Sequence, residues 1–324
     1  MTANSILVTG AGGYIGRQLI DALSARWIVG KSLTIVATDI RDTPRTEQRP
    51  GVVYLKADVR DPELATIVRE RQVDTVVHLA SIVTPGKKSD RAFEYSVDVE
   101  GTANVLSACI AARVGHIVIS SSGAAYGYHA DNPAWLSEDD PIRGNREFAY
   151  SWHKRLVEEM LSEYRQHHPE LKQTIFRIGT ILGDTVRNQI TDLFEKPRLI
   201  GVRGSDSPFV FIWDQDVVGA ILHAIDSGKG GIFNLAGDGA LSIHALAARL
   251  GKPLMSLPAW AIASALRVLK TFRLTQYGPE QVNFLRYRPV LDNRRLKEEF
   301  GYSPEKTSAA VFDYWLQSRK MHKE

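Results

Sequence analysis

Short apolar runs alternate with segments of helical periodicity through the first half of the chain, and this alternation constrains the fold more than any other feature. The runs are SILVTG, LTIVATD, VVYLKAD, VDTVVHLA, HIVISSS and QTIFRIG. Their near-continuous apolar character is typical of strands buried on both faces. The segments between them repeat apolar residues every three to four positions, as helices do. Such alternation favours right-handed βαβ crossovers, so the sequence predicts an α/β fold with a doubly wound parallel sheet.

A glycine-rich turn follows the first predicted strand and opens the first helix. In TGAGGYIGRQLI, Gly10, Gly13 and Gly16 are spaced G-x-x-G-x-x-G. Gly10 allows a tight turn, Gly13 lets the backbone approach a pyrophosphate, and Gly16 lets the helix pack closely on the strand. The helix N-terminal amides would face that anion. The segment predicts a dinucleotide-binding Rossmann turn, the alternative being an ordinary glycine-rich connection.

The end of the second strand indicates which dinucleotide would bind. Asp39 lies 23 residues after Gly16, where a carboxylate can accept hydrogen bonds from the adenosine ribose and repel a 2′-phosphate. Arg41 and Arg45 follow and could bind that phosphate. The sequence favours NAD over NADP. Asp58, which ends the third strand, is predicted to meet the adenine edge, unless it only caps the next helix.

The regular alternation ends near residue 183, after which glycines and prolines interrupt the chain and only IFNLAG resembles another strand. We predict an NAD-binding Rossmann domain at residues 1–182 that carries the catalytic residues. A smaller, interrupted C-terminal lobe at residues 183–324 is predicted to bind substrate, with about 207–240 returning to the Rossmann core. The apolar stretch 260–272 is predicted to be either a lid over the substrate or a core-facing helix.

Composition and charge exclude several function classes. The chain has 40 Lys and Arg against 37 Asp and Glu with no long run of one sign, so no nucleic-acid partner is expected. The longest apolar stretch is shorter than the ~20 residues of a membrane span, and the N-terminus lacks the basic segment of a secretory signal. The single Cys109 allows no intrachain disulfide, and no ligand spacing predicts a metal site. We expect a cytoplasmic protein that binds a small molecule.

Two residues of the segment YSWHK form a candidate acid/base pair. Tyr150 and Lys154 stand four apart on a predicted helix and share one face. The attraction between an ammonium and a phenolate about 4 Å apart is about 4 kcal/mol at an effective dielectric of ~20. That would bring the phenol pKa from ~10 toward ~7, with desolvation opposing part of the change. Ser122 closes the fifth strand at the edge where ligands of such sheets bind.

Together these segments resemble the extended short-chain dehydrogenase/reductases, also called NAD-dependent epimerase/dehydratases. The resemblance covers most of the chain. It rests on TGAGGYIG, ADV at 57–59, HLA at 78–80, DVEGTANVL at 98–106, SSSGAAYG, YSWHK, FRIGTILG, DQDVVGAI at 214–221, NLAGDGALSIHALA and VLDNRRLKEEFGYSP. It implies that Ser122 is the catalytic hydroxyl, Tyr150 the acid/base and Lys154 the cation that binds ribose and lowers the phenol pKa. The implied chemistry is hydride transfer between a substrate carbinol carbon and the nicotinamide.

The resemblance also implies contacts with cofactor, substrate and a second subunit. A homodimer is implied, joined by the helices at 91–113 and 148–166. Substrate contacts are expected at Ser122, Thr180 and Arg203. Cofactor contacts are expected at Gly10, Gly13, Tyr14, Ile15, Gly16, Asp39, Ile40, Asp58, Val59, Leu79, Ala80, Ser81, Ser120, Tyr150, Lys154 and Ile178.

Three departures from the family's usual residues bear on the reaction. Gly123 and Ala124 stand where members that dehydrate sugar nucleotides carry Asp and Glu. Because neither side chain can titrate, a dehydratase is disfavoured. Asp98 stands where Asn is common, and a buried carboxylate there would need a partner or a raised pKa.

Two further departures bear on the substrate. Thr180 and Phe209 fall where nucleotide-sugar epimerases carry Asn and Arg. A less charged, more apolar substrate is therefore expected, unless Arg198 or Arg203 supplies the missing cation.

The sequence leaves three functions open. The leading hypothesis is an NAD-dependent oxidoreductase or epimerase that uses a tyrosine as acid/base. A nucleotide-sugar 4-epimerase that retains NAD is the alternative within the family. The alternative from another class is a catalytically silent dinucleotide-binding scaffold or sensor, against which the complete Ser-Tyr-Lys set argues.

Overall fold

Seven parallel strands form the central sheet of the molecule. The computed structural model describes residues 4–28, 33–83, 90–272, 274–275 and 278–321. Its strands are β1 (Ser5–Thr9), β2 (Thr34–Asp39), β3 (Val52–Lys56), β4 (Thr75–His78), β5 (His116–Ser122), β6 (Lys172–Ile178), β7 (Thr180–Leu182), β8 (Leu199–Val202), β9 (Phe211–Trp213), β10 (Gly231–Leu235) and β11 (Leu254–Leu257). The sheet has the order β3-β2-β1-β4-β5-β6-β10, with every pair parallel. The predicted doubly wound Rossmann sheet is confirmed, and its strand order reverses between β1 and β4.

Helices cover both faces of this sheet. The α-helices of the described chain are α1 (Tyr14–Ile28), α2 (Leu64–Glu70), α3 (Arg91–Tyr95), α4 (Gly101–Ala111), α5 (Ala149–His167), α6 (Gln189–Glu195), α7 (Asp214–Ser227), α8 (Ile243–Leu250), α9 (Ala259–Thr271), α10 (Gln281–Arg286) and α11 (Ser308–Met321). Those packed on the sheet include α1, α2, α4, α5 and α7. A π-helical turn, Ser96–Glu100, joins α3 to α4.

The side chains of each strand alternate between two apolar cores. Ile6 and Val8 of β1 pack with α1 and α7 on one face, whereas Leu7 packs with α2, α4 and α5 on the other. Period-two alternation follows from strand geometry. Because both faces are covered, the strands are apolar along their whole length, which is the pattern that the sequence displays.

The second half of the chain builds a smaller unit and also contributes to the central sheet. The short strands β7 and β9 pair with each other, as do β8 and β11. An aromatic cluster fills this unit, with Phe194, Phe211 and Phe312 in ring contact. Within residues 207–240, α7 packs beside α1 and β10 adds the edge strand next to β6.

Of the two structures expected for residues 260–272, helix α9 matches the core-facing helix along one face, where Ala263 and Leu266 pack beside Ile262. Its only buried residue is Ile262, which packs with Val202 of β8 and Val282 of α10. The remaining sides of α9 are partly or fully exposed. Within the described ranges, no helix combines the length and apolar character needed to cross a membrane.

Candidate active site

A cavity of about 620 Å³ opens at the carboxyl ends of β1, β4, β5 and β6. This edge is where ligands bind in open parallel sheets. Its walls include the glycine turn, the first turn of α5 and segments of the second half of the chain. It brings together most of the predicted residues, namely Gly10, Gly13, Tyr14, Ile15, Gly16, Leu79, Ser81, Ser120, Ser122, Tyr150, Lys154, Ile178 and Thr180.

The glycine turn has the geometry that a pyrophosphate requires. Gly10 has a φ of +67°, and a Cβ there would lie 2.7 Å from the backbone nitrogen of Ala80. No acidic residue lies in the first turn of α1 to compete with a bound anion, and the first amides of a helix have no intrahelical partner. Tyr14 donates its hydroxyl hydrogen to Asp214 at 2.6 Å, which ties the turn to the start of α7. These residues fit a dinucleotide.

Asp39 lies against the glycine turn at the end of β2. Its carboxylate accepts hydrogen bonds from the amides of Gly12, at 3.0 Å, and Arg41, at 3.1 Å. The guanidinium of Arg41 approaches the same carboxylate at 3.4 Å. Arg41, which could bind a 2′-phosphate, therefore lies beside Asp39, which would repel that phosphate.

Five predicted cofactor contacts lie outside the lining of the cavity. Asp58 forms an ion pair of 2.6 Å with Arg60, and this hydrogen-bonded pair lowers the pKa of the Asp58 carboxyl. A Cβ on Gly101 would meet the side chain of Val59, so Val59 serves close packing beneath α4. The five residues are Asp39, Ile40, Asp58, Val59 and Ala80.

Of the three serines that end β5, Ser122 is the one that contacts Tyr150. Ser120 donates to a backbone carbonyl of β4 at 3.2 Å, and Ser121 donates to Glu158 at 2.5 Å. Ser122 forms a hydrogen bond with the Tyr150 hydroxyl. The structure therefore brings together the serine and tyrosine that the sequence predicts.

The charge state of Tyr150 differs from the expectation. Burial raises the pKa of the phenol above its usual value, and the hydrogen bond with Ser122 opposes this only in part. The Lys154 ammonium lies 5.5 Å from the centre of the phenol ring and donates to the Ser120 carbonyl at 2.9 Å. The predicted lowering of the pKa toward ~7 is wrong for this arrangement, because burial is the largest influence on the phenol and raises its pKa.

A buried Asp-His pair lies behind Lys154. Asp98 and His153 are in contact at 3.1 Å, with each side chain 1% exposed. Asp98 also accepts hydrogen bonds from the Ser81 hydroxyl and the Ile82 amide, both at 2.9 Å. The carboxylate therefore has the partners that its burial requires.

The same carboxylate influences the lysine. Burial raises the pKa of Asp98, but the His153 hydrogen bond and the Lys154 charge bring it below its usual value. Burial lowers the pKa of Lys154, and the charges of Asp98 and Glu158 counteract that effect. No role for His153 was predicted from the sequence. Two features of the sequence could have singled out His153: it directly precedes Lys154, and the unusual Asp98 needs a partner.

Arg288 is a second functional candidate that was not predicted from the sequence. Its guanidinium lies 3.9 Å from the ring centre of Phe209 and 4.3 Å from that of Phe284, in the wall of the cavity. Within the described chain its Nε and Nη2 atoms are buried without a hydrogen-bond partner. Burial lowers its pKa to about 10, so it is charged at neutral pH. The signal was its place just before the segment VLDNRRLKEEFGYSP.

The two arginines named as substitutes for the missing cation do not reach this cavity. Arg198 and Arg203 flank β8 and are exposed, and neither contributes to the lining. Helix α9 contributes nothing to the lining either, so the lid expected at residues 260–272 is not present. Arg288 lies instead against Phe209, the residue at the family's usual arginine position.

At Gly123, where dehydratases of the family carry the first residue of an Asp-Glu pair, there is little space for a side chain. A Cβ on Gly123 would lie 3.1 Å from the Leu291 side chain. Across the described ranges, no three His, Cys, Asp or Glu side chains are grouped to hold a metal ion.

Similar proteins place the chain in a family. The model of the NAD dependent epimerase/dehydratase family matches residues 6–236. An uncharacterised protein of Mycobacterium tuberculosis is 26% identical over 318 residues, which cover 97% of this chain and 84% of the relative.

Two solved structures have the same fold. A UDP-glucose 4-epimerase of Thermotoga maritima, solved with UDP-glucose, has a TM-score of 0.73 at 17% identity and covers 99% of this chain and 100% of its own. A dTDP-glucose 4,6-dehydratase of Bacillus anthracis, solved with NAD, has a TM-score of 0.73 at 17% identity, covering 98% and 97%. A dehydratase is thus as similar in fold as an epimerase, and fold similarity does not exclude a dehydratase. Because the family model spans most of the chain, this protein belongs to the NAD dependent epimerase/dehydratase family.

Proposed function

We propose that this protein binds NAD and transfers hydride at a hydroxyl or keto carbon of a substrate that carries an anionic group, such as a nucleotide sugar. The anionic group is supported by Arg288, whose buried guanidinium has two nitrogens without a hydrogen-bond partner among the described residues and lines the cavity that holds Ser122 and Tyr150. Burying a charge without a partner is costly, and a bound phosphate would supply the partner. This proposal replaces the apolar substrate expected from Thr180 and Phe209.

The glycine turn and Asp39 are the residues proposed to hold NAD. The helix N-terminus would face the pyrophosphate, and the Asp39 carboxylate would favour a ribose with a free 2′-hydroxyl. When bound, NAD supplies the carbon that accepts or returns a hydride.

Tyr150 is proposed to move the proton of the substrate hydroxyl. Because burial raises the pKa of this phenol, it keeps its proton at neutral pH and can donate it to a keto oxygen. Ser122, hydrogen-bonded to the phenol, would orient the same substrate oxygen. In the opposite direction, the nearby charge of Lys154 stabilises the phenolate.

Elimination is not part of the proposed reaction. It needs an acid and a base aimed at neighbouring carbons. Gly123 and Ala124 line the cavity without a titratable group, and the contact with Leu291 leaves little space for a larger residue at position 123.

A homodimer through the helices at 91–113 and 148–166 is also proposed. Phe93 and Tyr95 of α3 are 42% and 38% exposed, so this helix presents apolar surface that a second copy would cover. Light scattering at micromolar concentration should give twice the 36.0 kDa mass. Phe93→Ser with Tyr95→Ser should give the monomer, and a monomeric wild type would reject the dimer.

The experiment for the proposed function starts from the purified full chain. Acid extraction and chromatography would show whether nicotinamide co-purifies and in which redox state. The NAD-loaded protein would then be mixed with UDP-glucose, glucose 1-phosphate and an uncharged cyclic ketone or alcohol, while the absorbance of reduced nicotinamide is followed.

The outcomes separate the two parts of the proposal. A nicotinamide redox change with a phosphorylated compound, lost in Tyr150→Phe, is expected. Redox change with uncharged compounds alone would reject the anionic substrate. Absence of NAD binding would reject the function as a whole.

A further inference from the structure

The apolar surface of the described chain is concentrated around α9. Seven of the thirteen exposed large apolar residues lie between residues 200 and 274. Trp260 and Phe272 are 73% and 71% exposed. Exposed apolar patches of this kind mark interaction sites. The seven residues are Ile200, Met255, Trp260, Val268, Leu269, Phe272 and Leu274.

These side chains form a stripe along the helix rather than a scatter. Trp260, Ser264 and Val268 follow at intervals of four, continue to Phe272 just past the helix end, and therefore lie on one face. Leu269 adjoins that stripe. Ile262, on another face, packs against α10 and β8. Thus α9 is apolar both where it packs and where it is exposed.

The β8–β11 ribbon extends the same surface. Met255 pairs with Ile200, and Leu257 pairs with Val202. Because side chains two apart share a face of a strand, all four lie on one face of the ribbon. Val202 and Leu257 pack in the cluster with α9 and α10, whereas the other two stay exposed. We call the exposed set Ile200, Met255, Trp260, Val268, Leu269 and Phe272 the α9 surface.

The sequence interval that contains α9 carries basic residues and no acidic ones, although Arg249 and Lys270 pair with Asp313 and Glu280 from outside it. Residues 239–279 contain no Asp or Glu, although the whole chain has 37 of them. The same interval contains five basic residues. Arg267 and Lys270 lie on α9 and are exposed, and Lys270 also contacts Glu280 at 3.2 Å. The five are Arg249, Lys252, Arg267, Lys270 and Arg273.

We propose that the α9 surface docks on the surface of an anionic lipid bilayer. A helix with Trp, Phe and Leu on one face and Lys or Arg beside it is typical of helices that lie in the membrane interface. Anionic lipids attract Lys and Arg near the surface, and tryptophan favours the headgroup level. This attachment is peripheral and requires no membrane-spanning helix.

A second copy of the chain fits this surface less well. A two-fold interface would place the α9 surface against itself. Arg267 and Lys270 of α9 would then lie near their own copies, and like charges across an interface are unfavourable. A bilayer of negative headgroups matches both the apolar stripe and the charge.

The α9 surface is connected to the active site through one helix. α10 packs on α9 and contributes Gln281 and Phe284 to the cavity wall. Docking would therefore hold the substrate end of the cavity close to the lipid surface. The docking proposal does not depend on which reaction the cavity catalyses.

The test is co-sedimentation of the full chain with vesicles. Vesicles of phosphatidylglycerol and phosphatidylcholine in equal parts would be compared with pure phosphatidylcholine, at low and high salt. We expect binding to the anionic vesicles that weakens in high salt. Trp260→Ser with Phe272→Ser should reduce the bound fraction at least about tenfold, and Arg267→Glu should reduce it less.

Trp135→Ser is the matched control, because Trp135 is exposed and lies outside the α9 surface. It should bind vesicles as the wild type does, and thermal melts should show that all variants fold. Failure of the wild type to bind anionic vesicles would overturn the proposal, as would equal binding by the Trp260/Phe272 double variant. An α9-dependent dimer without vesicle binding would identify a second copy as the occupant instead.

Discussion

The cofactor side and the substrate side of the cavity are built differently. On the cofactor side, turns that directly follow successive strands supply the wall, and polar side chains there have partners, as Tyr14 has Asp214 and Asp39 has Gly12. On the substrate side, the wall comes from segments far apart in sequence, and no group in the described part of the chain pairs with two nitrogens of Arg288. The polar groups of the cofactor side are already held in place by partners within the protein. On the substrate side, the unpaired guanidinium indicates the chemistry of the ligand that would bind there.

The largest expected effect comes from Tyr150, where the two sides meet. Tyr150→Phe should lower turnover of the substrate found in the redox screen at least about 100-fold, since proton transfer by such groups contributes 10²–10⁴. NAD affinity should stay within a few-fold, because the phenol contributes little to dinucleotide binding. Steady-state kinetics would measure turnover, and calorimetry would measure the affinity for NAD.

Tyr164→Phe is the control on the same helix, since Tyr164 lies outside the cavity lining and should tolerate the change. Retention of more than about a tenth of the rate in Tyr150→Phe would show that another group moves the proton.

Asp98→Asn should shift the pH dependence of the reaction. The carboxylate counteracts the lowering of the Lys154 pKa by burial, so its removal should let Lys154 lose its charge at lower pH. The alkaline limb of the pH–rate profile should then move to lower pH. A variant of the exposed Asp226, which pairs with Arg26, should leave the profile unchanged. An unmoved alkaline limb in Asp98→Asn would show that Asp98 does not act on Lys154.

The same variant should change acid stability. The pKa of Asp98 is lower in the folded state than the ordinary ~3.9 of the unfolded chain. Its contribution to stability is therefore present above ~3.9 and is lost as pH falls through the folded pKa. In Asp98→Asn, the stability should therefore depend less on pH in this acid range than it does in the wild type. Thermal melts at several acid pH values would show the difference.

Arg288→Met should stabilise the ligand-free protein by about 1 kcal/mol, because a buried cation without an anionic partner is removed from an apolar wall. The lost ring contacts with Phe209 and Phe284 oppose part of this gain. Thermal melts of Arg288→Met and of Arg203→Met, a control at an exposed position, would measure the change in stability. A loss of stability larger than in the control would mean that the cation holds the wall together.

The smallest effect is expected at Asp39, on the paired side. Asp39→Ala should narrow the preference for NAD over NADP, because the carboxylate no longer repels the 2′-phosphate and Arg41 stays beside it. Calorimetric titration with both dinucleotides measures the ratio. Tighter binding of NADP by the wild type would show that Arg41 dominates this position.

The cofactor side was predictable because its signals are local. Strand periodicity, the spacing of Gly10, Gly13 and Gly16, and the separation of Tyr150 from Lys154 all lie within short segments. The pKa of Tyr150 was not predictable from spacing, because its direction depends on how deeply the folded chain buries the phenol.

The missed features depend on contacts between distant segments. Asp98 meets His153 across 55 residues. Arg288 meets Phe209 only because the segment after α10 packs on the one before β9. Apolar residues of α9 could have faced a core or a cavity by periodicity alone, and only the fold shows them exposed.

Titration of UDP into the NAD-saturated protein tests most directly whether the substrate side binds an anion. The wild type should bind UDP, and Arg288→Met should bind it about tenfold or more weakly, since a charge-assisted hydrogen bond contributes about 1.5–3 kcal/mol. Arg203→Met should bind as the wild type does. Equal affinity of wild type and Arg288→Met for UDP, or no binding by either, would contradict the assignment of Arg288 as the anion-binding residue of this active site.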